Sequence, residues 1–256
     1  MPKRPLLHDV AFAAFFVLLA TSAALADTKT VTVGVKNAMQ ATLMTPDGSG
    51  PFPAILVLHT SGGLEQDDTA FAQALTKKGY VTLVPAFMLA YNINATMRRE
   101  TFTDDAEPIY ADLAAALDML AHDPHVAGEK LGAVGFSNGG YFAMWLAATG
   151  RVQAGVSYYG ALSGAGTDKA LSRFKGVFTK ASSPVLILHG TDDGTVPVTA
   201  ARNLSKIVEA AGSPVEIRLY DGTGHRFDRS GSPQDAAAAA DAWPRTLAFF
   251  AKYLKP

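Results

Sequence analysis

From residue 54 onward, short apolar runs alternate with segments whose apolar residues recur every three or four positions. Ala54 to His59, Tyr80 to Pro85, Leu131 to Phe136, Ala154 to Tyr159, Val185 to His189 and Val215 to Tyr220 read as strands. The continuous hydrophobicity of Ala54 to His59 is that of a strand covered on both faces, and Tyr80 to Pro85 reads as the next buried strand. Between them, Thr69 to Lys78 places Phe71, Ala72 and Leu75 on one helical face. Pro108 to Ala121 repeats Ile109, Leu113, Leu117 and Leu120, with Pro108 suited to a first turn. Asn138 to Thr149 is apolar nearly all round and so predicts a buried helix, with Trp145 in the core. Ala200 to Ala211 is a further helix, and Trp243, Leu247, Phe250 and Leu254 form a stripe on a C-terminal one. Ahead of this region, Val31, Val33 and Val35 alternate with polar or small residues, as in an antiparallel strand. Gln40 to Met44 reads as its partner. Strand–helix alternation of this kind predicts an α/β fold with a mostly parallel, doubly wound sheet and helices on both faces. Only Ala161 to Ser183 lacks a clear pattern, and it reads as a short lid or surface loop.

The first 26 residues follow another logic. Lys3 and Arg4 precede an apolar run from Val10, and Ala24-Leu25-Ala26 offers small residues at the positions a signal peptidase accepts. The reading is a signal peptide, residues 1–26, cleaved after Ala26, followed by one domain, residues 27–256. An uncleaved anchor is the alternative, since the run is at the short edge of a spanning helix. The expected location is periplasmic or secreted, with no stable membrane span after cleavage. The chain of 256 residues has no cysteine. Disulfides, thiolate metal sites and a cysteine nucleophile are therefore excluded. A formal net charge of -1 argues against nucleic acid as a partner.

The chemistry concentrates at three strand ends. Gly135-Phe136-Ser137-Asn138-Gly139 fits G-x-S-x-G between a strand and a buried helix, where a sharp turn lifts a serine hydroxyl above the sheet. Asp192 and Asp193 follow the strand ending at His189, and His225 follows the strand ending at Tyr220. Serine, acid and histidine thus lie at the carboxyl edge of the sheet, where catalytic groups of α/β proteins collect. Serine is a poor nucleophile until a histidine takes its proton, and that histidine needs a carboxylate to hold its tautomer. The backbone N–H of Asn138 is one expected oxyanion donor. Thr60 or Ser61 in the first βα loop is the other. His122-x-x-His125 surrounds Asp123-Pro124 and reads as a turn rather than a metal site. His59 and His189 end strands and read as loop-orienting residues. No metal and no organic cofactor is expected.

These segments resemble the dienelactone hydrolase family of the α/β-hydrolase fold over essentially all of residues 27–256. Gly135 to Gly140 resembles its nucleophile elbow. His189 to Pro197 resembles the superfamily pattern H-G-x-x-D-x-x-V-P, which selects Asp193 over Asp192. Tyr220 to Phe227 resembles the segment around the base, and Leu58 to Leu64 the first βα loop. The resemblance implies a triad of Ser137, Asp193 and His225. The family's namesakes carry a cysteine where this chain has Ser137, and a loop glutamate where it has Thr60. The chain therefore resembles serine-bearing members, and dienelactone itself is not the expected substrate. Namesakes hold a substrate carboxylate with arginines. Arg98 and Arg99 stand in roughly that region and Arg226 adjoins the base, although surface solvation is the ordinary role for each.

The expectation is a carboxylic ester hydrolase, with a small or medium ester or lactone as its small-molecule partner. The expected pocket walls are Leu64, Phe87, Tyr91, Tyr141 and Tyr159. A peptidase on the same fold is one alternative, and an exported binding protein that lost its chemistry is another.

Overall fold

A computed structural model describes residues 27–160 and 168–255. The leader, residues 1–26, lies outside the described residues. Eight strands form one sheet: β1 (Asp27–Val33), β2 (Met39–Thr45), β3 (Phe52–Leu58), β4 (Val81–Pro85), β5 (Val126–Phe136), β6 (Ala154–Tyr158), β7 (Val185–Gly190) and β8 (Val215–Tyr220). Their spatial order is β1-β2-β4-β3-β5-β6-β7-β8. Pairing is antiparallel for β1 with β2 and for β2 with β4, and parallel from β4 through β8. Thus β2 alone runs against the rest. The helices are α1 (Gln66–Thr76), α2 (Phe87–Ala90), α3 (Ala106–Ala121), α4 (Asn138–Ala148), α5 (Asp168–Val177), α6 (Val198–Ala210) and α7 (Pro233–Leu254). No described helix is long and apolar enough to cross a membrane.

The unbroken hydrophobicity of the central strands resolves into two cores by the period-two geometry of a strand. Ala54, Leu56 and Leu58 of β3 face one side and pack with α3, α4 and α6. Ile55 and Val57 face the other and pack with α1 and α7. Helix α4 is buried along its whole length, as its all-round apolarity predicts.

The structure corrects two readings. Residues 168–177 within the unpatterned segment form helix α5, in which Phe174 is buried. Its few apolar positions are diluted by Lys169, Arg173 and Lys175, which hid the period. The first strand stops at Val33, and Val35 is 69% exposed. At Gly34 the backbone turns into the left-handed region, with φ +109. The turn beyond it wraps a carboxylate. Asp112 on α3 is fully buried and accepts the N–H groups of Val35 (2.6 Å), Lys36 (2.5 Å) and Asn37 (2.9 Å), and the Tyr91 hydroxyl (2.6 Å).

Burial raises the Asp112 carboxyl, but the bonds from Tyr91 and the three N–H groups outweigh it and leave the group below the ordinary aspartate value. A depressed folded value contributes stability above about pH 4, the ordinary aspartate value, that is lost as pH falls through the folded value. Asp112→Asn is expected to lower stability at neutral pH by about 2 kcal/mol. The gap from wild type should narrow below about pH 4. Denaturant titration of both proteins at the two pH values checks this, and an unchanged gap would contradict it.

Candidate active site

Residues 135–139 make a hard turn from β5 into α4. Ser137 sits at the corner with φ 50 and ψ -112, outside the comfortable regions for a side-chain-bearing residue. Glycines make the corner sterically possible. A Cβ on Gly135 would collide with the Gly139 carbonyl, and one on Gly139 would collide with the Leu58 carbonyl. The Ser137 N–H donates to the Tyr158 carbonyl of β6 at 3.0 Å. The Gly139 N–H donates to the His59 carbonyl at 3.2 Å, which docks the first βα loop against the start of α4.

Three strand ends converge on the serine. His225 Nε2 lies 3.1 Å from Ser137 Oγ, and His225 Nδ1 lies 2.7 Å from Asp193 Oδ2. The second distance requires a hydrogen on Nδ1 and leaves the Nε2 lone pair facing the serine hydroxyl. The Asp193 side chain is fully buried, and its Oδ1 accepts the N–H groups of Thr195 and Val196, both at 2.8 Å. Burial pushes the Asp193 carboxyl up, but bonds from His189, His225 and Val196 prevail and hold it well below the usual carboxylate range. Asp192 is exposed and its carboxylate meets only the neighbouring Thr191 hydroxyl, at 3.0 Å. The loop register therefore brings Asp193, not Asp192, to the histidine.

The other side of the serine is the first βα loop. Thr60 is buried, and its carbonyl accepts from His59 Nδ1 at 2.7 Å and from the Gly63 N–H at 3.2 Å. A trans peptide is planar, so fixing that carbonyl also fixes the Ser61 N–H in the opposite direction. Asn138 is the first residue of α4, where backbone N–H groups have no partner within the helix. Its side-chain amide donates to Thr101 Oγ1 at 2.9 Å and to the Arg98 carbonyl at 3.2 Å. That pins residues 98–101 onto the start of α4.

Sequence reasoning missed a buried ionic network behind the histidine. Tyr159 packs its ring edgewise on His225, with centroids 4.7 Å apart, and donates its hydroxyl to Asp228 Oδ1 at 2.6 Å. Arg229, whose side chain is 4% exposed, bonds the fully buried Asp68 at 2.5 Å and reaches Asp228 and Glu65, each at 3.3 Å. Arg226 pairs with Glu65 at 2.5 Å. Burial raises the Asp228 carboxyl despite the Tyr159 and Arg229 bonds. Four non-glycine residues have positive φ among those described: Asn92, Ser137, Tyr159 and Arg226. Three of them meet at this site, and such strain persists only where the surroundings over-determine it. The one sequence signal was the pair Asp228-Arg229 just after the histidine segment. Asp68, in the first turn of α1, is fully buried, and nothing local in the sequence marks an acid there as other than a helix-start residue.

Several expected pocket residues lie behind the site instead of lining it. Phe87, Tyr141 and Tyr159 have essentially no accessible surface. Phe87 stacks on His59 with centroids 4.1 Å apart, and Tyr141 sits among Phe102, Phe142, Trp145 and Phe174. Tyr91 turns its hydroxyl to Asp112. A helix and loop packed over a sheet bury large aromatics for their area, whichever edge they follow. Leu64 is 40% exposed in the first βα loop. Arg98 and Arg99 are exposed, and the Arg98 guanidinium donates to the Ala95 carbonyl. Residues 123–126 form a turn closed by the Val126 N–H on the Asp123 carbonyl.

A sheet with one reversed strand, a strained serine after β5, an acid after β7 and a histidine after β8 define the α/β-hydrolase fold. Within that class, this chain belongs to the dienelactone hydrolase family, whose family model matches residues 39–254. The chain accordingly belongs to a family of hydrolases. Among its relatives, the Methylorubrum extorquens protein named "Putative carboxymethylenebutenolidase" is 29% identical over 219 residues, covering 81% of this chain and 75% of that one. The Escherichia coli (strain K12) protein of the same name is 27% identical over 228 residues, covering 80% and 78%. The crystal structure of a dienelactone hydrolase from Anabaena variabilis superimposes with a TM-score of 0.67 at 24% identity, over 91% of this chain and all of that one.

Proposed function

We propose that the protein hydrolyses small to medium carboxylic esters or lactones through an acyl-enzyme on Ser137. The observation that carries this reading is the unbroken path from Ser137 Oγ to His225 Nε2 and from His225 Nδ1 to Asp193. Ser137 Oγ attacks the carbonyl carbon while His225 Nε2 takes its proton. The resulting oxyanion lies against the N–H groups of Asn138 and Ser61, donors aimed at charge that exists only after attack. Collapse expels the alcohol, which receives the proton from His225. Water then enters and gives its proton to His225 as its oxygen adds to the acyl carbon, and His225 returns that proton to Ser137 Oγ as the acid departs. Asp193 stays ionised throughout and stabilises the imidazolium that forms twice in each turnover.

The test combines covalent labelling with turnover. A fluorophosphonate probe is expected to label Ser137 alone. A panel of esters and lactones of varied acyl length should be hydrolysed with k values far above those of matched amides. A wild-type protein that neither labels nor cleaves any member of the panel would overturn the reading.

A further inference from the structure

His189 is a fully buried histidine that the mechanism above does not use. It ends β7, four residues before the acid. Its Nε2 lies 2.9 Å from the Val196 carbonyl and 3.3 Å from Asp193 Oδ2. Both partners are acceptors, so the hydrogen of this ring must reside on Nε2. Its Nδ1 is buried with no hydrogen-bond partner.

The placement of that one hydrogen is economical. Asp193 offers about four lone-pair sites. Two, on Oδ1, meet the backbone N–H groups of Thr195 and Val196. On Oδ2, His225 meets the carboxylate at 2.7 Å, and His189 Nε2 stands 3.3 Å away while its hydrogen is directed at the Val196 carbonyl. His189 thus ties down the carbonyl of Val196, the same residue whose N–H holds Oδ1. The 193–196 loop is therefore clamped from both ends of one residue, and the carboxylate cannot rotate without breaking bonds to buried groups. A carboxylate held this way stays aligned with His225 Nδ1 through both proton transfers.

We infer that His189 is a positioning residue for Asp193: its Nε2–H ties the Val196 carbonyl beside the carboxylate and so locks the loop in the orientation His225 requires. This rests on the hydrolase reading above. A role in packing alone would need the ring's shape but not its hydrogen.

Three proteins separate these roles: wild type, His189→Phe, which keeps a flat ring without a donor, and His189→Gln. The glutamine amide nitrogen lies the same number of bonds from the backbone as Nε2. Turnover of p-nitrophenyl acetate by His189→Phe is expected to fall by about tenfold to a hundredfold in kcat, as a misplaced catalytic group would cause. Its KM should stay within about twofold, because substrate contacts are untouched. His189→Gln should recover most of the lost kcat. In wild type at neutral pH, nitrogen-detected NMR should show His189 protonated at Nε2 and bare at Nδ1. Equal losses in the Phe and Gln variants, wild-type kcat in the Phe variant, or a hydrogen on Nδ1 would each overturn the inference. The NMR experiment needs no variant, so it decides even if His189→Phe fails to fold. It also reads His189 independently of activity. Failure of wild type to cleave any ester would instead strike the hydrolase reading.

Discussion

Replacing Ser137 with glycine is expected to abolish ester hydrolysis and to make the protein more stable. The two effects share one cause. In the proposed mechanism Ser137 carries the attacking oxygen, and its backbone is held at φ 50 and ψ -112. A residue with a Cβ in such a region costs about 1–3 kcal/mol, and glycine removes most of that cost. Loss of the nucleophile should lower kcat by on the order of 10⁶. Relief of strain should raise the melting temperature by several degrees, at roughly 2–4 °C per kcal/mol for a domain of this size. Alanine at the same position would remove the oxygen but keep the strain, so Ser137→Ala should be equally inactive with little gain in stability. Calorimetry and p-nitrophenyl acetate hydrolysis on the two variants give the comparison. A glycine variant no more stable than the alanine variant would show that the corner is unstrained.

Asp193→Asn is expected to cost about 10⁴ in kcat, while Asp192→Asn should cost almost nothing. The neighbouring residues are chemically identical, so the contrast isolates geometry. Asp193 Oδ2 accepts the Nδ1 hydrogen of His225 at 2.7 Å from full burial. An asparagine amide turned toward His225 would donate where an acceptor is required. The imidazole would then present Nε2–H to the serine instead of a lone pair. Asp192 lies exposed outside this path. Steady-state kinetics on both variants checks the pair, and comparable losses in the two would contradict the assignment.

Much of this was legible before any coordinates. Gly135, Ser137 and Gly139 carry their meaning locally, since their spacing and the flanking strand and helix suffice to predict the corner. The pattern from His189 to Pro197 likewise distinguishes two adjacent aspartates by position. Pocket walls were not legible. Phe87, Tyr91 and Tyr141 follow strand ends or helix starts near the serine, yet their side chains turn into the fold. Helix α5 was hidden by its charged residues. The network of Asp68, Arg229, Asp228 and Tyr159 joins α1, the end of β6 and the loop after β8 across more than 160 positions.

The sequence by itself determined the chain order in which Ser137, Asp193 and His225 follow three strands and, through the absence of cysteine, that no thiol stands among them. It did so because local turns and alternating periods depend on near neighbours. Tertiary structure decided which buried groups hold the fold and the site: the Asp112 clamp, the ionic network behind His225 and the His189 ring that ties Val196 beside Asp193. Those depend on desolvation and on distances between segments far apart in the chain. No window of sequence contains either quantity.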